Sequence, residues 1–111
     1  MREPLSINEV IDRLDELAGF DICVRGLLTF ELEDISITHL PRAERREGEM
    51  SSIWLSTGTG ALGFDHRKCE SLNGKIVVVE GTLFKPEPPF GGCGHMSLWP
   101  AELLARTLER E

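Results

Sequence analysis

Two short motifs carry the side chains that most often bind zinc. His66 and Cys69 are three residues apart, and Cys93 and His95 are two residues apart. Together they offer two thiolates and two imidazoles, the ligand types of a tetrahedral zinc site. The spacing within each pair is weakly diagnostic, so a zinc site depends on whether the intervening elements bring the two pairs together.

Patterns typical of catalysis are weaker still. An enzyme of acyl or phosphoryl transfer requires a nucleophile with a base, or two carboxylates on a concave wall, and the sequence marks no such set. Cys93 and His95 lie in a glycine-rich segment, where their proximity is explained by chance. Gly58, Gly60 and Gly63 match the spacing of a dinucleotide-binding loop, but no long helix and no parallel strand follow them. We therefore expect a protein that is not an enzyme and carries no cofactor.

Composition bounds the class of protein. The 111 residues are enough for one domain, residues 1–111, and the net charge is −7, with nine acidic and three basic residues in positions 1–34. Nucleic-acid binders usually carry a basic footprint instead. Three cysteines are an odd number, the N-terminus lacks an apolar leader, and no window approaches the length of a membrane span. These features predict a cytoplasmic protein with free thiols.

An amphipathic helix is predicted for the N-terminal residues 1–19. Ser6 and Glu9 form a capping box, in which each side chain bonds the backbone N–H of the other residue. Apolar residues then recur at helical spacing, and Gly19 ends the helix. The apolar residues are Ile7, Val10, Ile11, Leu14, Leu17 and Ala18.

Residues 20–107 are predicted to form five strands, four because apolar and polar residues alternate with a period of two, and the fifth because a closed barrel of this order requires it. A short helix from Asp65 to Leu72 precedes the turn Asn73-Gly74. The predicted strands are Phe20 to Glu31, a second at Ile35 and Ile37, Ser52 to Thr57, Lys75 to Lys85, and a fifth from about Met96, bulged at Pro100, for which a helical C-terminus is the alternative.

Two of these strands share a pattern of aliphatic residues interrupted by a glycine on the inward row, at Gly26 and Gly81. Glycine weakens a flat strand but suits a sharp bend, so the pair predicts a small closed barrel. The strand order and the passage Leu72 to Gly81 resemble the oligonucleotide/oligosaccharide-binding (OB) fold, including its tRNA-anticodon-binding-like group. The resemblance covers residues 20 to about 107. It implies a mainly β fold: a five-stranded OB-like closed barrel with an N-terminal helix and a short helix between strands three and four.

In such a barrel the helix that carries His66 and Cys69 lies at one end. Cys93 and His95 follow a fourth strand of about ten residues, roughly 33 Å long at the usual rise. The two pairs should lie at opposite ends, so we predict no metal site.

Two hypotheses of function follow. Charge favours a non-catalytic protein-interaction or accessory module that uses the acidic surface and the 86–95 loop. The fold resemblance implies the alternative, a binder of single-stranded nucleic acid.

Trp54 alternates with Ile53 and Leu55, so it lies outside the barrel, either free to stack on a base or covered by the N-terminal helix. Phe90, at the tip of a proline-glycine loop, is either a contact residue or a plug for the barrel mouth. The predicted partner-binding residues are Trp54, Phe90, His95, Arg42, Arg45 and Arg46, the three arginines lying in a mobile hairpin tip from Pro41 to Met50.

Overall fold

The computed structural model describes residues 3–32, 34–56, 66–87 and 91–111, without the side chains of His66 and His95. Strands dominate these residues, which confirms the predicted mainly β class. The elements are β1 (Leu5–Ser6), α1 (Ile7–Asp12), α2 (Leu14–Leu17), β2 (Asp21–Glu31), β3 (Asp34–Thr38), β4 (Ser52–Ser56), α3 (His66–Leu72), β5 (Ile76–Phe84) and β6 (Glu102–Arg110), with 3₁₀ turns at Arg42–Glu44 and His95–Ser97.

The six strands form one mixed sheet in the order β1-β2-β3-β4-β6-β5, and β2 also pairs with β5. The strands β2, β3, β4, β6 and β5 therefore form a ring of paired neighbours. Pairing is antiparallel around the ring except between β4 and β6, which run parallel through Trp54, Leu55 and Ser56. Among the described residues no helix is long and apolar enough to cross a membrane.

The inward rows of the ring strands supply the core. Alternation places Val24, Val79 and Leu103 inside, each with no exposed surface. Two helices contribute to the same core: Ile7 and Val10 from α1, and Cys69 and Leu72 from α3. Every second side chain of each strand points inward, and the inward side chains are the apolar ones, so the core is apolar.

The two repeated glycines lie where neighbouring strands approach most closely. A Cβ added to Gly26 would lie 2.6 Å from the carbonyl oxygen of Thr38 on β3. A Cβ added to Gly81 would lie 2.3 Å from the carbonyl oxygen of Leu104 and 2.8 Å from the Cα of Ala105. The register of β5 and β6 also shifts between Glu80 and Gly81. Only glycine leaves room for the backbone of the neighbouring strand at these positions.

Three elements differ from the sequence-based expectation. The N-terminal helix is two short segments that meet at Arg13, because the backbone of Arg13 leaves the helical region at φ −107° and ψ 24°. After the second segment, the N–H of Gly19 donates to the carbonyl oxygen of Leu83, at 2.7 Å. Strand β1 was not expected, since two residues are too short for a periodic pattern. The last strand begins at Glu102 and not at about Met96, because Met96 and Ser97 adopt left-handed φ angles of 57° and 56°. The C-terminal segment is a strand, so the helical alternative is wrong.

Candidate functional site

A row of paired residues crosses four neighbouring strands of the ring; its member on β3, Ser36, is buried, and the members on the other three strands stand on the outer surface. Ser36 pairs with Trp54, Trp54 with Glu102, and Glu102 with Phe84. The last three face outward because the adjacent residues Leu55, Leu83 and Leu103 are buried in the core. The outer surface of β4, β6 and β5 thus presents an indole, a carboxylate and a phenyl ring side by side.

Trp54 is half-buried, as expected for an outward strand residue with a partial cover. Its sequence context predicts either a ring free to stack on a base or a ring covered by the N-terminal helix, and the structure shows a different cover. The ring of Trp54 packs against that of Trp99, with centroids 4.8 Å apart and planes tilted by 55°. A Cβ on Gly94 would lie 2.4 Å from the Trp54 ring, so the backbone of Gly94 rests directly on the indole. The segment Cys93 to Trp99, and not the N-terminal helix, covers Trp54.

That covering segment is a tight reversal of the chain. The backbone N–H groups of Cys93 and Trp99 each donate to the carbonyl oxygen of the other residue, at 2.8 and 3.0 Å. Between them, Met96 and Ser97 take left-handed conformations that side-chain-bearing residues rarely adopt. Strained backbone of this kind is concentrated at functional sites. The reversal leaves Met96 77% exposed and Leu98 55% exposed.

A cavity of about 550 Å³ lies beside this segment. Its lining comes from the end of β5, the following residues, the covering segment and the start of β6. The lining residues are Phe84, Lys85, Glu87, Gly92, Cys93, Gly94, Ser97 and Glu102. The volume is in the range typical of ligand pockets, and the walls combine an aromatic ring with charged groups.

Burial shifts the pKa values of two titratable groups that line the cavity. Burial raises the pKa of the Glu102 carboxyl above its usual value, and a hydrogen bond with Ser56 opposes the rise. Burial, with a smaller contribution from the Glu102 charge, raises the pKa of the Cys93 thiol to about 11. The raised pKa favours the protonated thiol at neutral pH, which is a poor nucleophile.

The three arginines predicted to bind a partner lie on the connection between β3 and β4. This connection was expected to be a mobile hairpin tip, but the structure ties it to α1. The Asn8 side-chain amide donates to the carbonyl oxygen of Glu44, and the Ser51 hydroxyl donates to the amide oxygen of Asn8. The buried His39 accepts the backbone N–H of Asn8 at Nδ1, 3.0 Å away, and its Nε2 lies 2.9 Å from a Glu44 carboxylate oxygen.

Two of the three arginines bond groups of this same chain. The Arg45 Nε donates to the carbonyl oxygen of His39 at 2.7 Å. The Arg46 guanidinium bonds the Asp12 carboxylate at 2.8 Å. Arg42 is exposed in the 3₁₀ turn. Two of the three cations are thus held within the chain, which lowers the positive charge available to a polyanion.

The other predicted residues are only partly covered by the structure. Phe90 lies outside the described residues, as do the glycines of positions 58–63. The backbone of His95 lies in the 3₁₀ turn of the covering segment, but its side chain is not described. Cys69 is buried in the core and Cys93 beside Trp99, and the described residues contain no group of three or more metal-ligating side chains. The prediction of no metal site stays a prediction.

Sequence reasoning missed four residues of the cavity and the covering segment: Phe84, Met96, Leu98 and Glu102. Phe84 follows an inward leucine and stands on the outer face of its strand, so strand parity alone indicates its position. The exposure of Met96 and Leu98 depends on the left-handed turn, which no sequence pattern marks.

Comparison with known proteins bears on the fold alone. No family model and no curated protein matches the sequence. A solved chain described as "OBody AM3L09 bound to hen egg-white lysozyme" is similar, with a TM-score of 0.61 and 13% identity, over 99% of this chain and 96% of that one. A second, "OBody AM3L15 bound to hen egg-white lysozyme", has a TM-score of 0.62 and 14% identity, over 98% and 94%. At such identities the likeness extends to the backbone and not to function.

Proposed function

We propose that the ring of strands is a closed OB-like barrel and that residues 1–111 form a single domain. Three features support this proposal. The pairing of β2 with β5 closes the ring, α3 lies between β4 and β5 in the chain, and neighbouring strands come close at Gly26 and Gly81. The sequence resemblance to the OB fold, in its tRNA-anticodon-binding-like group, points the same way.

We propose further that the protein is a non-catalytic, cytoplasmic binding module whose ligand is another protein. The observation that carries this proposal is the exposure of large apolar side chains on the covering segment and on β5, both of which contribute residues to the cavity lining. Met96 and Leu98 project from the covering segment, and Phe84 is 43% exposed on the adjacent strand. Methionine and aromatic residues are enriched at protein interfaces, and grouped exposed apolar residues mark interaction sites. Two solved chains of similar fold are described as bound to a protein, lysozyme.

The absence of catalysis is part of the proposal. The high pKa of Cys93 argues against a thiolate mechanism. Glu102 and Glu87 both line the cavity, but no base with a bonded nucleophile accompanies them in the part of the chain that the structure describes.

Binding of single-stranded nucleic acid is the weaker candidate. Trp54 stands outward on β4, as a stacking platform requires, but its ring is packed against Trp99 and Gly94. Arg45 and Arg46 bond groups of this same chain. A net charge of −7 adds a repulsive term for phosphates.

The proposal is tested by affinity capture of partners from the native host with a matched set of variants. The double variant Met96→Asn and Leu98→Asn removes the apolar contacts, and asparagine tolerates the left-handed backbone at position 96. The control is Leu32→Asn, which alters a leucine that is 92% exposed at the turn between β2 and β3.

We expect the double variant to lose most of a reproducibly captured protein while the control retains it. Removal of two interface anchors at more than about 1 kcal/mol each lowers affinity roughly thirtyfold. Equal capture by all three proteins would refute the proposed surface. A partner that is lost equally with Leu32→Asn would place the interface elsewhere.

A further inference from the structure

We propose that the cavity bordered by Phe84 and Glu102 receives an arginine side chain of the partner protein. This inference rests on the proposed protein-binding function and names the chemistry that the partner must present.

The first observation is a half-buried carboxylate without a cation. Glu102 has a hydrogen bond with the Ser56 side chain. Two cationic side chains near Glu102 in sequence or across the ladder contact other carboxylates: the Lys85 Nζ, just after β5, lies 3.6 Å from Asp15, and the Arg106 guanidinium on β6 lies 2.9 Å from Asp21. No ion pair to Glu102 occurs among residues 3–32, 34–56, 66–87 and 91–111. A desolvated carboxylate of this kind is stabilised by an incoming cation more than a fully hydrated one is.

The second observation is the aromatic ring next to that carboxylate. Phe84 lies directly opposite Glu102 in the antiparallel pair of β5 and β6. Side chains of directly opposed residues stand about 5 Å apart at Cβ. A guanidinium can bond a carboxylate through two parallel N–H groups while its flat face rests on a phenyl ring, which the compact ammonium of lysine does less well. The pair therefore favours arginine over lysine.

The third observation concerns the rest of the cavity. Glu87 adds a second carboxylate to the lining, whereas the ammonium of Lys85 lies by Asp15. The negative balance disfavours a phosphate or a carboxylate ligand. Cys93, Gly94 and Ser97 of the covering segment line the cavity, and the exposed Met96 and Leu98 flank Ser97 in sequence. A partner segment that fits carries an arginine next to an apolar residue.

The site is tested by NMR, with a titration of the uniformly ¹⁵N-labelled protein by N-acetyl-arginine methylamide. Its neutral isostere, N-acetyl-citrulline methylamide, is the matched probe, and N-acetyl-lysine methylamide tests the choice between cations. A ligand of this size binds with a dissociation constant on the order of millimolar. We expect saturable shifts of the amides of Phe84, Gly92, Gly94 and Glu102 with the arginine probe and none with the citrulline probe.

Two variants localise the effect. Glu102→Gln should weaken the arginine probe by about tenfold or more, because it removes the charge while keeping a polar group of similar size. Phe84→Leu should weaken it by a few fold, since an aliphatic side chain offers no ring face. The spectra of the free variants show directly whether the fold is retained.

The inference is overturned if the arginine and citrulline probes shift the same amides equally, or if shifts persist unchanged in Glu102→Gln. Equal affinity for the lysine probe would refute the preference for arginine. Failure of this inference can be distinguished from failure of the proposed protein-binding function. Loss of capture with the Met96 and Leu98 variants but no arginine binding would leave the interface standing and remove this pocket from it.

Discussion

Replacement of Gly81 by valine tests the strand arrangement most directly. A Cβ at this position would lie 2.3 Å from the carbonyl oxygen of Leu104 and 2.8 Å from the Cα of Ala105. Ordinary contacts of a Cβ begin at about 3.4 Å, so β6 must move outward by roughly 1 Å. The obstacle is backbone, which cannot rotate away as a flexible side chain can.

The cost follows from what β6 carries. Leu103, Ala105 and Leu108 are buried inward residues of the same strand, and displacement of β6 loosens their packing. Overpacking of this kind costs about 1–3 kcal/mol. For a domain of this size, 1 kcal/mol corresponds to about 4 °C in melting temperature. We expect Gly81→Val to melt about 4–12 °C below the parent.

The assay is thermal and urea unfolding followed by far-UV circular dichroism, with Glu80→Val as the control. The control places the same β-branched side chain on the adjacent, half-buried outer position of β5. Its stability should change by no more than about 0.5 kcal/mol. A Gly81→Val protein that melts within about a degree of the parent would refute the close approach of β5 and β6 at this point.

Three further expectations concern ligands and protons. Single-stranded DNA or RNA should bind no tighter than roughly 10⁻⁴ to 10⁻⁶ M at physiological salt, and a nanomolar complex weakened by Trp54→Ala would restore the nucleic-acid function. Elemental analysis of the purified protein should show no stoichiometric zinc; about one zinc per chain, lost on replacement of Cys69 or Cys93, would contradict this. Glu102→Gln should raise the melting temperature at neutral pH, because burial raises the carboxyl pKa and the ionised form therefore opposes folding. The native carboxyl binds its proton more tightly than the unfolded one, so stability due to this group falls as pH rises through the native pKa. The difference between parent and variant should vanish in acid, and a constant difference at every pH would point to another cause.

Four strands of the ring could be predicted from the sequence because each carries its own alternation of inward and outward residues, whereas the last was expected only because a closed barrel requires it, and it begins at Glu102. Gly26 and Gly81 indicated the close approaches, since a glycine on an inward row fills no core space and is favoured where two backbones meet. The short strand at Leu5 and Ser6 could not be predicted, because its pairing with β2 depends on where α1 docks. The kink at Arg13 has the same origin.

The candidate site was less predictable for a physical reason. Its features arise from contacts between residues distant in sequence and from unusual backbone angles. Trp54 and Trp99 are 45 positions apart, and nothing local to either one shows that their rings meet. The exposure of Met96 depends on a left-handed conformation that its residue type disfavours. The charged connection between β3 and β4 lacks core residues, yet the polar contacts of Asn8, His39 and Ser51 hold it against α1.

The contact between Trp54 and Trp99 also gives the protein an internal optical reporter. The chain has two tryptophans and no tyrosine, so both strongly absorbing near-ultraviolet chromophores belong to this one pair. Indoles whose centres are 4.8 Å apart exchange excitation energy and couple their transitions. Because Gly94 rests on one indole and also lines the cavity, occupation of the cavity should alter intrinsic fluorescence and near-ultraviolet dichroism. Binding at this face can therefore be followed without a label, on a spectroscopic background that the rest of the molecule hardly contributes to.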